Sequence, residues 1–280
     1  MKFTLTLAPT AKASVLPVNY QYPLSAAIYK IIQQADEKYS AFLHNKGYQL
    51  PSGKSFKLFS FSDLRVPFQI KGDRLQINDS PASLIIGFHI DEAAAHFIRG
   101  LFINQHIEIA DKRSKAQFSI DQVQLLPDTL ANINSGLPEV ILQPLSPIVV
   151  GRKNAKGNYD FLGPAGDVFN ECLIYSWLEK YKTINPDADT ETFRNNISIK
   201  VLTPPNEIKS RLITIKAFTP SETQIRGFTR FRMKVRAPKP LLQLVLNAGM
   251  GLYNAQGMGN VELIQLVVHQ PAKRVTTALT

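Results

Sequence analysis

The chain has 280 residues, 44% of them hydrophobic, a composition typical of a globular protein with about two domains. It carries 32 Lys and Arg against 22 Asp and Glu, and the resulting net charge of +10 favours a polyanionic partner, either nucleic acid or an anionic membrane surface. The single cysteine, Cys172, excludes an internal disulfide, and no apolar run in the sequence approaches the roughly 20 residues that span a bilayer. These features predict a cytoplasmic protein with no membrane-spanning segment.

The first half of the sequence predicts a strand, a helix, several strands, a second helix and a closing strand. Alternation of apolar and polar residues indicates the strands, and apolar residues at spacings of three and four indicate the helices. The predicted elements are a strand at 2–8, a helix from about Pro23, strands near 56–61, 66–71, 74–78 and 83–89, a helix from Asp91, and a strand at 117–126.

The second half repeats this order. Its predicted elements are a strand at 140–150, a helix from Asp167, strands at 197–202, 212–218 and 224–236, a helix from about Pro240, and a strand at 261–268. Strand–helix–strands–helix–strand is the order of the ferredoxin-like unit. Proline, glycine and asparagine cluster at 127–138 and indicate the joint between the two halves. We therefore predict an α+β protein of two tandem ferredoxin-like (RRM-like) domains with antiparallel sheets, at 1–130 and 137–280.

A strongly basic segment occupies residues 209–239, where nine basic residues are opposed only by Glu222. Beyond Arg226, cations recur at alternate positions: Arg230, Arg232, Lys234 and Arg236. On a single strand this period places four cations on one face, while Phe231 and Met233 face the other way. We predict that the cationic face binds a phosphate chain; the alternative is an ordinary solvated face.

A glycine-rich segment lies between the last predicted helix and the last predicted strand. It contains two Gly-Met-Gly triplets, with glycines at Gly249, Gly251, Gly257 and Gly259. Glycine allows a backbone to approach a neighbour closely, so the segment predicts a loop built around a ligand. The alternative is a helix cap at Gly249 followed by a flexible hairpin. Neither the spacing nor the helix-first order fits a dinucleotide-binding or P-loop motif.

The sequence predicts neither a metal site nor a cofactor, because none of the five histidines stands at a zinc-ligand spacing. His44 ends a helical segment just before a polar loop that contains Lys54 and is followed by Lys57, and Tyr29 lies on the preceding helix. A histidine can move a proton, a tyrosine can position or deprotonate a hydroxyl, and a lysine can neutralise charge on a phosphate. Together they suit metal-free RNA cleavage, although a histidine at a helix end is commonly a cap or surface residue.

Several segments carry a resemblance to a known family: MKFTLTLAP, NYQYPLSAAIYKII, AFLHNKGY, FKLFSFSDL and GMGLYNAQGMGNVEL. Over essentially its full length the sequence resembles the CRISPR-associated repeat-processing endoribonucleases of the RAMP superfamily, the Cas-six family. The resemblance implies two tandem ferredoxin-like folds. It also implies cleavage of CRISPR precursor RNA within each repeat, leaving a 2′,3′-cyclic phosphate or 3′-phosphate and a 5′-hydroxyl.

The resemblance also implies roles for individual residues. Tyr29 and His44 match the family's catalytic tyrosine and histidine, and Lys57 best matches its lysine, with Lys54 as a rival. The basic strand and glycine-rich loop would bind repeat RNA, with the catalytic residues across the cleft between the domains. The residues expected to bind RNA are Lys54, Arg226, Arg230, Arg232, Lys234, Arg236, Gly249, Gly251, Gly257 and Gly259.

Two other classes of protein remain open at this point. One is a non-catalytic RNA-binding subunit of a CRISPR ribonucleoprotein complex, whose partners would include other CRISPR-associated subunits. The other is a peripheral membrane protein, which is disfavoured because the cations lie on a predicted strand and the sequence shows no basic amphipathic helix. The sequence does not predict an oligomeric state.

Overall fold

The structure is a computed structural model that describes residues 1–12, 14–217 and 219–267. Its helices are α1 (Gln21–Ala35), α2 (Glu37–Asn45), α3 (Asp91–Ile103), α4 (Asp167–Lys182), α5 (Thr190–Asn195) and α6 (Lys239–Ala248). Its strands are β1 (Lys2–Pro9), β2 (Val15–Pro17), β3 (Tyr48–Gln49), β4 (Ser55–Phe56), β5 (Phe59–Phe61), β6 (Phe68–Lys71), β7 (Arg74–Ile77), β8 (Ala82–Phe88), β9 (His106–Ala110), β10 (Lys115–Leu126), β11 (Glu139–Pro144), β12 (Gly151–Lys153), β13 (Tyr159–Phe161), β14 (Ser198–Val201), β15 (Lys209–Ile215), β16 (Thr223–Thr229), β17 (Met233–Arg236) and β18 (Val261–Val267).

Two antiparallel sheets have the same strand order. The first sheet runs β5-β8-β1-β10, with β9 added at the edge beside β10. The second runs β14-β17-β11-β18. Numbered within each repeat, both orders are 2-3-1-4, the arrangement of a ferredoxin-like unit in which the first strand pairs with the third and fourth. The predicted tandem ferredoxin-like fold is confirmed.

The segment 127–138, where the sequence places the joint, contains no helix or strand. The first sheet ends before this segment and the second begins after it. Residues 268–280, the end of the second predicted domain, lie outside the described residues.

Each sheet buries one face against its helices, as the alternation of its strands requires. On β1, Phe3, Leu5 and Leu7 are buried in the first hydrophobic core, which α1 completes with side chains such as Leu24 and Ile28. In the second core the buried residues of the strands and helices include Val140, Leu142, Trp177, Met233 and Val235. Each such fully buried side chain stabilises the fold by about 1.5–3 kcal/mol relative to an exposed one.

The prediction of one strand over 224–236 is wrong. β16 ends at Thr229 and β17 begins at Met233, and between them Arg230 has a left-handed φ of 56°. The break lets the chain leave the β15–β16 hairpin and enter the second sheet. Phe231 and Met233 are nevertheless both buried, so the alternation that the sequence showed persists across the break and could not reveal it.

The β15–β16 hairpin of the second domain contacts the first domain. Arg211 on β15 forms an ion pair with Asp63 at 3.4 Å and donates to the carbonyl oxygen of Val18 at 3.0 Å. The Asp63 carboxylate also accepts from the Gln21 side chain at 2.8 Å. These contacts attach the hairpin to the start of α1.

Candidate active site

Helices α1 and α2 place Tyr29 and His44 side by side. The Asp36 side chain caps α2 by accepting from the Tyr39 amide at 2.8 Å, and Ser40 on α2 donates to the Tyr29 carbonyl at 3.2 Å. The Tyr29 ring meets the His44 ring edge-on, with centroids 5.3 Å apart and planes at 82°. The two residues that the sequence proposed as a pair are therefore in contact.

Lys57, in the segment between β4 and β5, contacts the end of α2 that carries His44. Its Nζ donates to the carbonyl oxygen of His44 at 2.9 Å. Gly47, in the turn after α2, has a φ of +64°, and a Cβ built there would lie 2.9 Å from Lys57 Cδ and 3.0 Å from Lys57 Nζ. An ammonium group has three donors, so two remain for a ligand after the bond to His44. Burial lowers the pKa of the Lys57 amine.

The electrostatics of the site favour different roles for Tyr29 and His44. Burial raises the pKa of the Tyr29 hydroxyl, so this group is a neutral hydrogen-bond donor rather than a base. His44 is exposed, and its Nδ1 lies 3.1 Å from Asn45 Oδ1. In the tautomer that carries its proton on Nδ1, the imidazole can donate to this Oδ1 while Nε2 is an acceptor.

Tyr29, His44 and Lys57 line one groove of about 720 Å³. Lys216, just beyond the end of β15, and Gln256, in the glycine-rich loop, line the same groove. Neither residue was predicted from the sequence to be part of this site. Lys216 does belong to the basic segment and Gln256 to the glycine-rich segment, but nothing local showed that either would meet His44.

Lys54, the rival lysine, is held elsewhere. Its Nζ lies 4.7 Å from the centroid of the Tyr175 ring on α4 and 5.3 Å from that of Phe56. Burial lowers the pKa of its amine. Lys57, rather than Lys54, is thus the lysine that the fold brings to Tyr29 and His44.

The glycine-rich loop is an interior structure. All four glycines are buried and have positive φ. Cβ atoms built on them would crowd the protein itself: Gly249 against Ser60 Cβ at 2.9 Å, Gly257 against Phe61 Cε2 at 2.7 Å, Gly251 against the Val149 carbonyl and Gly259 against the Met250 carbonyl. The loop is wedged between the two domains.

Three of the four glycine amides also donate to carbonyl oxygens of the protein. Gly249 donates to Val245 at 2.9 Å, Gly257 to Asn254 at 3.1 Å and Gly259 to Pro147 at 2.8 Å. The close neighbours of these glycines are therefore backbone and side-chain groups of the protein itself, and the expectation that the glycines bind RNA stays a prediction. These three amides have no free donor for a phosphate. Below the loop, the buried Lys180 donates to the Gly249 carbonyl at 2.7 Å and to the Asn254 side chain.

The predicted cationic face is divided among three places. Arg230 and Arg232 line a groove of about 880 Å³, together with Arg211. This groove shares no lining residue with the groove of His44, and the expectation that one cleft between the domains holds both sets of residues stays a prediction. The break after β16 places Arg230 and Arg232 between the two strands.

The other cations of the set lie on strands. Lys234 on β17 is 3.0 Å from Glu139 on the neighbouring β11, which offsets its charge. Arg236 is exposed on the same strand. Arg226 is exposed on the β15–β16 hairpin, where it donates to the Ser210 hydroxyl at 3.5 Å.

Two family models match the chain. CRISPR-associated protein Cas6, N-terminal, matches residues 15–124, and CRISPR associated protein Cas6, C-terminal, matches residues 132–263. The chain belongs to the Cas6 family. The two matches divide at the segment that separates the two sheets, and the resemblance seen in the sequence is confirmed.

Individual relatives of this Cas6 family member agree with that assignment. The chain is similar to the CRISPR-associated endoribonuclease Cas6 1 of Methanocaldococcus jannaschii, with 26% identity over 265 residues that cover 90% of this chain and 89% of the relative. It shares its fold with a Cas6-related protein from Pyrococcus furiosus, at a TM-score of 0.75, 20% identity and coverage of 95% and 98% of the two chains. A RAMP protein binding different RNA substrates has the same fold, at a TM-score of 0.73 and 19% identity, with 95% of this chain and 100% of that chain covered.

Among the described residues, no group of three or more His, Cys, Asp or Glu side chains is arranged to hold a metal ion. None of the helices in the described part of the chain is long and apolar enough to cross a lipid bilayer.

Proposed function

We propose that this protein is an endoribonuclease that processes CRISPR precursor RNA by cutting within its repeats, without a metal ion. Membership of the Cas6 family and similarity to a relative named as an endoribonuclease support this activity. The observation that carries it is the cluster in the groove: His44 against Tyr29, with the Lys57 ammonium 2.9 Å from the His44 carbonyl.

The proposed reaction is an attack of the RNA's own 2′-hydroxyl on the adjacent phosphorus. His44 Nε2 takes the 2′-hydroxyl proton, the bond between the 2′-oxygen and phosphorus forms, and the bond from phosphorus to the 5′-oxygen breaks. The leaving 5′-oxygen takes a proton from the neutral Tyr29 hydroxyl or from water. Lys57 offsets the negative charge that builds on the phosphate oxygens. The products are a 2′,3′-cyclic phosphate and a 5′-hydroxyl.

Repeat RNA would contact cations on both domains. Lys216 is placed to meet the phosphates beside the cleavage position, because it lines the same groove as His44. Arg230 and Arg232 would hold a more distant part of the strand in their own groove. Arg211 and Asp63, which join the β15–β16 hairpin to the first domain, line the arginine groove, and Lys216 beyond β15 lines the groove of His44, so we propose that one RNA strand crosses both grooves along this hairpin.

His44→Ala tests the proposed chemistry. Loss of a proton-transfer residue lowers a rate by about 10²–10⁴-fold, so single-turnover cleavage of the host's repeat RNA should fall by that factor while RNA affinity stays near wild type. His106→Ala is the matched control, because His106 is exposed on β9 and does not line the groove. Wild-type cleavage by His44→Ala would refute the assignment.

The products and the metal requirement provide a second test. A single 2′-deoxy substitution at the nucleotide before the cut should abolish cleavage, and EDTA should leave the rate unchanged. Loss of activity in EDTA, or a 5′-phosphate on the product, would instead indicate a metal-dependent nuclease. Tight binding of repeat RNA with no discrete products would indicate a binding-only subunit.

The arginine groove is tested by salt dependence. Each phosphate contact contributes about 0.7–0.9 to the slope of log affinity against log salt. Replacing Arg230 and Arg232 by glutamate should weaken binding of all RNAs and flatten this slope by about 1–2. An unchanged slope would mean that neither arginine contacts an RNA phosphate and that both are ordinary solvated surface residues.

A further inference from the structure

The tip of the glycine-rich loop, residues Asn254–Gln256, contacts α1, the helix that carries Tyr29. Residues Asn254–Gln256 form a 3₁₀ turn between Tyr253 and Gly257, both of which have left-handed backbone conformations. The buried hydroxyl of Ser25 on α1 donates to the carbonyl oxygen of Ala255 at 2.6 Å. Ser25 lies one helical turn before Tyr29, so this bond docks the tip beside the catalytic groove.

The tip is held rigidly from the other side. The Asn254 side chain donates to the carbonyl oxygens of Met250 at 2.7 Å and Met258 at 3.0 Å, and thereby closes the loop. Lys180 donates to the Asn254 side chain and to the Gly249 carbonyl. A turn fixed by these bonds presents its side chains in one position, which is the condition for precise contact with a substrate.

Gln256 is the polar side chain that this tip adds to the groove. Its Oε1 is buried and has no hydrogen-bond partner within the described part of the chain. A buried polar atom without a partner costs about 1–3 kcal/mol, and a rotation of the Gln256 amide toward a ligand in the groove would remove this cost. A primary amide both donates and accepts, and RNA offers the matching pair in its phosphate oxygens and its 2′-hydroxyl.

We propose that Gln256 is a substrate-contacting residue whose side-chain amide hydrogen-bonds the RNA nucleotide at the cleavage position. This inference rests on the proposed function, since it concerns the same groove. It gives the glycine-rich loop a role that its buried glycines do not have by themselves: the loop carries a side chain of the second domain to Tyr29, His44 and Lys57. The catalytic groove is then incomplete in the first domain alone.

Two substitutions separate hydrogen bonding from packing. Gln256→Leu keeps most of the side-chain volume but removes the amide, so cleavage and affinity should fall by about 5–10-fold, the net worth of one or two hydrogen bonds. Gln256→Glu keeps an acceptor and adds a negative charge beside the phosphate. Gln256→Glu should therefore lose more cleavage rate and affinity than Gln256→Leu at low salt. The affinity of Gln256→Glu relative to wild type should rise toward one as added salt screens the charge.

The measurements are single-turnover cleavage of repeat RNA and affinity for the same unmodified RNA with each Gln256 variant placed in a His44→Ala background, which prevents cleavage but keeps the 2′-hydroxyl. The affinity assay tests Gln256 even if the wild-type protein fails to cut, which would overturn the proposed function but not this contact. Urea unfolding of each variant confirms that the loop is intact. Gln243→Leu is the matched control, because Gln243 is half-buried on α6 and lines a different cavity.

The outcomes are distinct. A loss of affinity of about 5–10-fold in Gln256→Leu, with Gln243→Leu unchanged, would support the contact. Gln256→Leu within about twofold of wild type in both assays would overturn it, because a side chain that only fills space tolerates leucine. A Gln256→Glu variant as active as wild type at low salt would also overturn it.

Discussion

Two glycine-bearing loops border the groove of His44: residues 45–55 of the first domain and residues 249–259 of the second. In the first loop, Gly47 and Gly53 both have positive φ, but only Gly47 has near neighbours, among them Lys57. In the second, every glycine is pressed against the protein. The first loop thus uses one glycine to leave room for a functional side chain, whereas the second uses all four to pass between two domains.

This difference teaches that glycine content does not identify a ligand site. A positive φ shows only that the backbone needs glycine, and the neighbours of the missing Cβ show why. Around Gly251 the neighbour is the Val149 carbonyl, a buried and fixed group; around Gly47 it includes the side chain of a candidate catalytic lysine. Substitution at the two positions should therefore damage different properties.

The largest expected effect is on stability, at Gly251. Gly251→Ala forces a Cβ onto the Val149 carbonyl and imposes a left-handed alanine. Overpacking costs about 1–3 kcal/mol and the backbone strain about 1–2 kcal/mol, so the free energy of unfolding should fall by about 2–5 kcal/mol. Urea unfolding measures this loss.

Gly53→Ala is the control for that prediction. Gly53 has a φ of +81°, and a Cβ there meets nothing within 4 Å in the described structure, so the variant carries the backbone strain alone. Equal midpoints for Gly251→Ala and Gly53→Ala would show that the second loop is not packed as described.

Local patterns were enough to predict the fold. The alternation of Phe3, Leu5 and Leu7 and the helical spacing in α1 and α4 depend on residues within one element, and both halves of the chain show the same order. The alternation at 230–236 is equally local, yet it concealed a break, because the buried face continues across it. The alternation of apolar and polar residues shows which residues face the core, but it does not show whether the strand is continuous.

The site was predictable only where its residues are close in sequence. Tyr29, His44 and Lys57 come from neighbouring elements of one domain, and the family resemblance supplied their roles. Lys216 and Gln256 join them through the packing of the second domain on α1, which no local pattern encodes. The surroundings of the glycines were unpredictable for the same reason, since groups that they touch, such as Val149 and Phe61, are remote in sequence.

The next largest effect should be on the rate of cleavage, at Gly47. A Cβ at Gly47 would lie 2.5 Å from the Phe56 carbonyl and displace Lys57 from His44. Gly47→Ala should therefore lower the single-turnover rate by about 10-fold, less than the roughly 10²-fold expected for Lys57→Ala. Gly53→Ala, in the same loop, should cleave at the wild-type rate.

A double-mutant cycle shows whether Gly47 acts through Lys57. If it does, Gly47→Ala should have little further effect on the rate once Lys57 is alanine, because the side chain that it displaces is gone. Additive losses in the double variant would instead indicate that Gly47→Ala disturbs His44 or the end of α2 directly.

A smaller effect concerns the support of the second loop and depends on pH. Burial, with a lesser contribution from the Lys54 charge, lowers the pKa of Lys180 to about 7, below its ordinary value of 10.5 in the unfolded chain. Between these values the unfolded state binds the extra proton, so stability should rise with pH, by at most about 1.4 kcal/mol per unit. The neutral amine still has two donors for Gly249 and Asn254.

Lys180→Met provides the comparison for this pH dependence. The difference in unfolding free energy between wild type and Lys180→Met should change by about 1 kcal/mol between pH 7.5 and 8.5, in favour of wild type at the higher pH. Other ionisable groups are common to both proteins and cancel. A difference that is flat over this range would mean that Lys180 has the same protonation state in the folded and unfolded chains.

The smallest effect separates Lys54, in the first loop, from Lys57, which lies between β4 and β5. Lys54 lies over Tyr175, an interaction worth about 0.5–1 kcal/mol at an exposed site, and does not line the groove of His44. Lys54→Ala should therefore lower stability by that amount and change the single-turnover rate by less than about threefold, while Lys57→Ala loses far more. Tyr175→Leu should match the stability loss of Lys54→Ala. If Lys54→Ala slows cleavage as much as Lys57→Ala, then Lys54 leaves Tyr175 when RNA binds, and the loop of residues 45–55 supplies a mobile cation rather than a fixed one.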